Sequence, residues 1–224
     1  MLTLHTRTLD PLSRALRVAA AEKRAMVSVR EVDPFGADPA LLALDPEGRT
    51  PVLVDSAWGH RAAIAEVFAA FEYLEEIIPV PPLLPGGPLE RAAARALAQR
   101  AARAFGPVVA VLVREKVAKR ALRRGAPDAA AIREATDEAQ QLVAQAGEAA
   151  EAHDYLTGAR PTLADIVAAA HVSVLDFIDC VHWDKVPSGR AWYARIKQRP
   201  SFRTLLTDTL ASHNPPVHYA DLDF

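Results

Sequence analysis

At 224 residues, half of them hydrophobic and with a formal net charge of −2, the chain can bury one large core or two smaller ones and is too apolar to be disordered. The near balance of charge excludes the strongly basic profile of a nucleic-acid binder. A single cysteine, Cys180, excludes an internal disulfide and suits a reducing compartment.

The opening "MLTLHTRTLD" has no signal-peptide layout, and no segment reads as a membrane span, so a soluble cytoplasmic protein without membrane insertion is expected. "LTLHT" predicts a short strand. "PLSRALRVAAAEK" predicts a helix with Pro11 in its first turn. "MVSVREV" alternates with period two and predicts a strand. "DPALLALDP" predicts a short helical turn, "PVLVD" a strand and "SAWGHRA" the second strand of a hairpin. "AIAEVFAAFEYLEEII" predicts a helix with Ile64, Val67, Phe68, Phe71 and Leu74 along one side. Residues 1–78 thus read as a small α/β domain of order β-α-β-α-β-β-α. The prolines and glycines of "PVPPLLPGGP", residues 79–88, forbid regular structure and predict an interdomain linker. Residues 89–212 read as an all-helical domain with breaks near Gly125–Pro127, Gly158–Pro161 and Pro187–Gly189, its last helix being "RPSFRTLLTDTLASH". Two prolines stop that helix. The remaining extension, 213–224, carries Tyr219, Asp221, Leu222, Asp223 and Phe224 in no helical or strand pattern, and reads as a flexible strip that docks on a partner, the alternative being that it packs back on its own domain.

No two of the seven histidines share metal-ligand spacing with a cysteine or carboxylate, so no metal site is expected. Neither GxGxxG nor GxxxxGK[ST] occurs, and no cofactor is expected. Cys180 lies in an apolar helix and reads as a buried structural thiol. "REKVAKRALRRG" is the one dense basic stretch. Lys116, Lys119, Arg120, Arg123 and Arg124 share a broad helical face that reads either as a solvated helix end or as a patch for an acidic protein partner. No aromatics interleave it, which disfavours nucleic acid. Phe35, in the turn "DPFG", and Trp58 are candidate interface aromatics.

The order of elements around a proline-rich hinge resembles the glutathione transferase fold, a thioredoxin-like domain followed by a helical bundle. "EGRTPVLVD" resembles that family's cis-proline loop, which implies a cis bond at Pro51 and ligand-facing backbone groups on Thr50. "AEVFAAFEYLEE" resembles its third helix, and "TLADI" its helical N-capping box, with Thr162 and Asp165 bonding reciprocally. The resemblance also implies a thiol-activating donor at the start of the first helix. There the alignment places Asp10, which, standing before Pro11, also reads as a plain helix N-cap. An ionised carboxylate about 4 Å from a thiolate would repel it by roughly 4 kcal/mol at an effective dielectric of about 20, raising the thiol pKa. Ser13, Thr6 and Thr8 are substitute donors. The family's Glu-Ser pair for the γ-glutamyl end of glutathione reads Glu66-Val67, and valine has no hydroxyl to offer. Asp10, Ser13, Thr50, Pro51, Glu66 and Val67 therefore form a candidate vestigial cleft with no catalytic residue.

"LDPLSRALRVAAAEK", "GRAWYARIKQRPSFRTLL" and "PPVHYADLDF" resemble, more narrowly, a division-associated branch of this superfamily. That resemblance implies a non-catalytic, homodimeric protein that binds the tubulin-like GTPase FtsZ or another division protein. It places the contacts at Tyr219, Asp221, Leu222, Asp223 and Phe224, with Phe35 a weaker candidate. The alternatives are a glutathione-dependent transferase with an atypical donor and a scaffold module for another partner.

Overall fold

The computed structural model describes residues 1–58 and 63–222 and comprises two compact units, Met1–Leu83 and Leu84–Phe224.

In the first unit, β1 (Leu2–Thr6) runs parallel to β2 (Val27–Glu31) and antiparallel to β3 (Val52–Asp55), which pairs antiparallel with β4 (Ala63–Ile64). The sheet order is β2-β1-β3-β4. Parallel pairing of β1 with β2 needs a crossover, and α1 (Pro11–Glu22) supplies it. Leu4 and Leu53 of the sheet, Leu16 of α1, and Phe71 and Leu74 of α3 (Val67–Ile77) are all buried. A second cluster, Val32, Leu41 and Val52, seats the short α2 (Pro39–Leu42). Below these, Lys23 at the end of α1 forms a buried ion pair with Glu75 of α3 at 2.6 Å. Lys23 also donates to the carbonyls of Ile78 and Pro81, and Glu75 accepts from the Leu83 amide, so every charge here is matched. At the other end of the sheet the Met1 ammonium donates to Ser56 Oγ at 3.0 Å and lies 3.5 Å from Asp55.

Two expectations change here. The stretch expected as a second hairpin strand opens as a 3₁₀ turn, Ser56–Trp58, because the Asp55 carboxylate accepts from the Ala57 amide and bends the chain. Its continuation at 59–62 lies outside the described residues. Ala63 and Ile64, expected at the head of a helix, pair with β3 instead, and α3 starts only at Val67.

The second unit holds α4 (Pro88–Val113), which continues through a π-helical turn (Arg114–Ala118) into α5 (Lys119–Ala121), then α6 (Ala129–Ala150), α7 (Leu163–Phe177) and α8 (Pro187–Lys197). Every residue of α7 is buried, and α4, α6 and α8 pack on it. Its start carries the expected capping box: Ala164 N donates to Thr162 Oγ1, and Thr162 N to Asp165 Oδ2. Asp165 also accepts from Leu156 N at 2.8 Å and Trp192 Nε1 at 3.1 Å, tying α8 and the preceding loop to this corner.

Pro187 opens α8 at a position where its missing N–H costs nothing, so the break falls at 178–186 instead of 187–189. The helix expected over "RPSFRTLLTDTLASH" reduces to one 3₁₀ turn, Arg203–Leu205. Thr204 and Thr207 hydroxyls bond back to the carbonyls of Ser201 and Thr204, a local alternative to helix continuation. One helical run, Pro88–Ala121, is long and apolar enough to cross a membrane by length and composition, contrary to expectation. Its apolar residues Ala98, Phe105, Val109 and Leu112 are buried within this unit, which accounts for them.

Helices α6 and α8 meet at two glycines. A Cβ on Gly147 would lie 2.1 Å from the Gly189 amide nitrogen, and one on Gly189 would lie 2.6 Å from the Val143 carbonyl oxygen. Backbone cannot yield as a side chain does, so Gly147→Ala is expected to cost about 1–3 kcal/mol, lowering Tm by several degrees in thermal unfolding. An unchanged Tm would show that the two helices can separate without loss.

Candidate ligand cleft and the C-terminal segment

Asp10 caps α1. Its Oδ1 accepts from Leu12 N at 3.1 Å, and its Oδ2 from Ser13 N at 3.3 Å, Ser13 Oγ at 2.6 Å and Thr50 Oγ1 at 2.8 Å. The peptide bond between Thr50 and Pro51 is cis, and the Thr50 hydroxyl bond holds this loop beside the cap. Asp10, Ser13, Thr50 and Pro51 thus come together. Burial pushes the Asp10 carboxyl above its ordinary value, against the pull of the two hydroxyls and two amides.

The hydroxyls matter for any thiol chemistry. Ser13 is fully buried; its single proton goes to Asp10, and its oxygen accepts from Arg7 N at 3.3 Å. Thr50 gives its proton to the same carboxylate. Thr8 donates to the Glu31 carboxylate. With Asp10 ionised, the candidate donors Ser13 and Thr8 are both committed to carboxylate partners.

Glu66 and Val67 lie at the head of α3. Val67 is buried, and the exposed Glu66 carboxylate accepts from Arg49 Nη1 at 3.1 Å. Arg49 is also gripped by Asp45, through Nε at 3.1 Å and Nη2 at 3.2 Å, and this holds the Asp45 carboxyl below its usual range. A γ-glutamyl amine would have to compete with Arg49 for Glu66.

Arg7 is the residue that sequence reasoning missed. Its guanidinium donates to the carbonyls of Asp33 at 3.0 Å, Gly48 at 2.9 Å and Gly36 at 3.3 Å, stitching two loops together. Phe35 lies in one of those loops, half-buried, its amide donating to Asp33 Oδ1. Nothing in "HTRTLD" distinguishes Arg7 from a solvated arginine, because its three acceptors are backbone groups distant in sequence.

The C-terminal segment departs furthest from expectation. Tyr219 is 0 % exposed, so it is an internal anchor of the helical unit and not a free docking residue. Its hydroxyl donates to the Leu205 carbonyl at 2.9 Å, and its ring stands edge-on to Phe177 at 5.1 Å. Behind it sits Asp176, also wholly buried. Asp176 accepts from Trp183 Nε1 at 3.1 Å, Lys197 Nζ at 3.2 Å and Tyr193 OH at 3.3 Å, and lies 3.1 Å from His218 Nε2. Lys197 donates again, to the His218 carbonyl at 3.0 Å. Beyond this lock Asp221 is exposed. Leu222 edges a groove of about 450 Å³ lined by Trp183, Pro187, Ala191 and Ala194. The candidates Asp223 and Phe224 lie outside the described residues.

Residues 11–77 match the family model of the glutathione S-transferase N-terminal domain, and residues 104–200 that of the C-terminal domain. The chain belongs to the glutathione transferase family. This family member is similar to FtsZ-localized protein A of Caulobacter vibrioides (strain NA1000 / CB15N), with 40% identity over 223 residues, 99% of this chain and 98% of that protein. Among solved structures, FzlA from C. crescentus superposes with a TM-score of 0.93 at 40% identity, covering 100% of this chain and 99% of that one. A glutathione S-transferase from Rhodospirillum rubrum F11 superposes equally, TM-score 0.93 at 39% identity, covering 100% of both chains. A stringent starvation protein A homolog of Coxiella burnetii (strain RSA 493 / Nine Mile phase I) is 35% identical over 105 residues, 47% of this chain and 48% of that protein.

Two outcomes follow from this geometry. Hydrogen bonding to Asp176 raises the His218 pKa above its ordinary 6.5. The stabilisation from protonated His218 is therefore complete below about pH 6.5 and fades as pH rises through the raised value. Hydrogen exchange at residues 217–222, corrected for intrinsic rates, is expected to quicken across that window, and His218→Gln to remove the pH dependence; equal protection at all pH values would contradict it. In the cleft, Val67→Ser supplies the missing donor. It is expected to tighten glutathione binding about tenfold in calorimetric titration, as one hydrogen bond to a charged group predicts.

Proposed function

We propose that this chain is a non-catalytic glutathione-transferase-fold protein that binds the FtsZ filament and regulates bacterial division and constriction. The observation that carries the reading is full-length similarity to FtsZ-localized protein A. The commitment of the Ser13, Thr50 and Thr8 hydroxyls to carboxylates supports it, since a transferase site needs a proton donor for its thiolate. In this reading the protein is cytoplasmic and gathers at the division site. Its parts are a thioredoxin-like domain (1–78), a linker (79–88), a helical domain (89–212) and an extension (213–224). Asp221 and Leu222, with Asp223 and Phe224 after them, form the partner-facing edge, and buried Tyr219 fixes its position. Phe35 is a secondary contact.

The protein would act as a homodimer. The outer face of α4 supports this, with Leu89 exposed and a groove of about 640 Å³ lined by Ala93, Ala96, Leu97, Arg100 and Arg103. The competing reading, a glutathione-dependent transferase, is favoured by the likeness to the Rhodospirillum rubrum protein.

Co-sedimentation with GTP-polymerised FtsZ tests the proposal. The wild-type chain is expected in the filament pellet, and the double variant Asp221→Lys, Leu222→Asp is expected to bind at least about tenfold more weakly with an unchanged Tm. Failure of the wild-type chain to pellet removes the filament reading. Strong retention on immobilised glutathione with turnover of a generic electrophile would establish the competing one.

A further inference from the structure

The basic stretch at 114–124 divides into two sets of cations with different fates. Arg114 and Lys119 close on the buried Glu115 carboxylate at 2.9 and 2.5 Å. Glu115 also accepts from Asp128 N at 2.8 Å, pinning the start of α6, and these contacts hold its pKa down to about 2. Lys116 caps the other end of α7, donating to the carbonyls of Ile178 at 2.7 Å and Asp179 at 2.8 Å and lying 3.3 Å from Cys180 Sγ. Three of the six cations are thus consumed internally.

Arg120, Arg123 and Arg124 are not. All three are exposed, and among the described residues none pairs with a carboxylate. They are presented from a fixed turn. Arg123 adopts a left-handed backbone (φ 53°), the Arg124 amide returns to the Lys119 carbonyl at 2.9 Å, and Gly125 (φ 84°) completes the reversal. Exposed Leu122 sits among them. His213, at the root of the C-terminal segment, lies 3.3 Å from the Phe177 carbonyl, next to the Ile178 carbonyl that Lys116 holds, and burial first, then the charges of Lys116 and Arg120, keep its imidazole below the ordinary value.

We infer that Arg120, Arg123 and Arg124, with Leu122 between them, form a docking corner for an acidic peptide segment of a protein partner. Charge complementarity names the occupant. Guanidinium forks match carboxylates bidentately, a preorganised turn reduces the ordering cost, and an aliphatic contact suits a peptide better than a phosphate backbone. The absence of any aromatic stacking platform among these residues weighs against single-stranded nucleic acid. The inference deepens the filament reading, because the corner adjoins the root of the proposed contact segment.

The test uses the full chain and a fluorescein-labelled peptide of Asp and Glu interspersed with Leu, read by anisotropy. Wild-type protein is expected to bind it with an affinity that falls as salt rises, and not to bind the Asn/Gln counterpart. The charge-reversed variant R120E/R123E/R124E is expected to lose roughly tenfold or more, while R24E/R160E, reversed at two exposed arginines outside the corner, binds as wild type does. Equal peptide binding by the corner variant overturns the inference, as does tighter binding of an oligonucleotide or of inositol hexakisphosphate than of the peptide. Filament co-sedimentation of the same variants separates this from the filament reading. A corner variant that pellets like a pelleting wild type overturns the corner alone, whereas a wild type that binds the peptide but never pellets removes only the filament.

Discussion

The helical unit depends on one carboxylate that has lost all contact with water, Asp176. An isolated ionised carboxylate in that position would cost several kcal/mol of desolvation, and no hydrophobic gain nearby could offset it. The cost is met by convergence. An indole N–H, a phenol and an ammonium each aim a donor at it, and an imidazole stands at the same distance. Those donors come from α8, from the turn before it and from the C-terminal segment, so satisfying one buried charge fixes three separate pieces of chain on α7. Tyr219 then has a place to go, because the same Lys197 that neutralises Asp176 lies 5.7 Å over its ring.

A second carboxylate, Asp10, plays the corresponding part in the first unit with a different outcome. It draws in the two hydroxyls that a thiol-activating site would need for itself. The repulsion between a carboxylate and a thiolate is one reason for an inert cleft, but burial pushes the Asp10 pKa upward, which softens that reason. The allocation of protons is the other reason: a hydroxyl has one hydrogen to give, and while Asp10 is ionised each of these gives it to that carboxylate.

Local patterns were legible where the physics is local. The strand at β2, the proline at the head of α1 and the Thr162–Asp165 box all act over a few residues, and each formed where its pattern predicts. In the cleft, Asp10 as a cap and the cis bond at Pro51 were equally readable. What sequence could not show were contacts made across long separations. Arg7 serves carbonyls up to 41 residues away, and Lys116 reaches 63 residues along to cap α7. Tyr219 looked like a mobile aromatic because the carbonyl, ring and ammonium that receive it belong to residues 205, 177 and 197. The final helix failed for the opposite reason: side-chain hydroxyls of Thr204 and Thr207 compete with the helix locally, an effect that apolar periodicity does not register.

The two chain ends are anchored unequally, which bears on where a reporter can be fused. Met1 touches Ser56 and Asp55 through an exposed ammonium, a contact of the kind that contributes little to stability. The other end leaves a welded tyrosine only five residues before the last amino acid. A fluorescent protein attached there would pull on the lock, whereas one attached before Met1 gives up only exposed contacts.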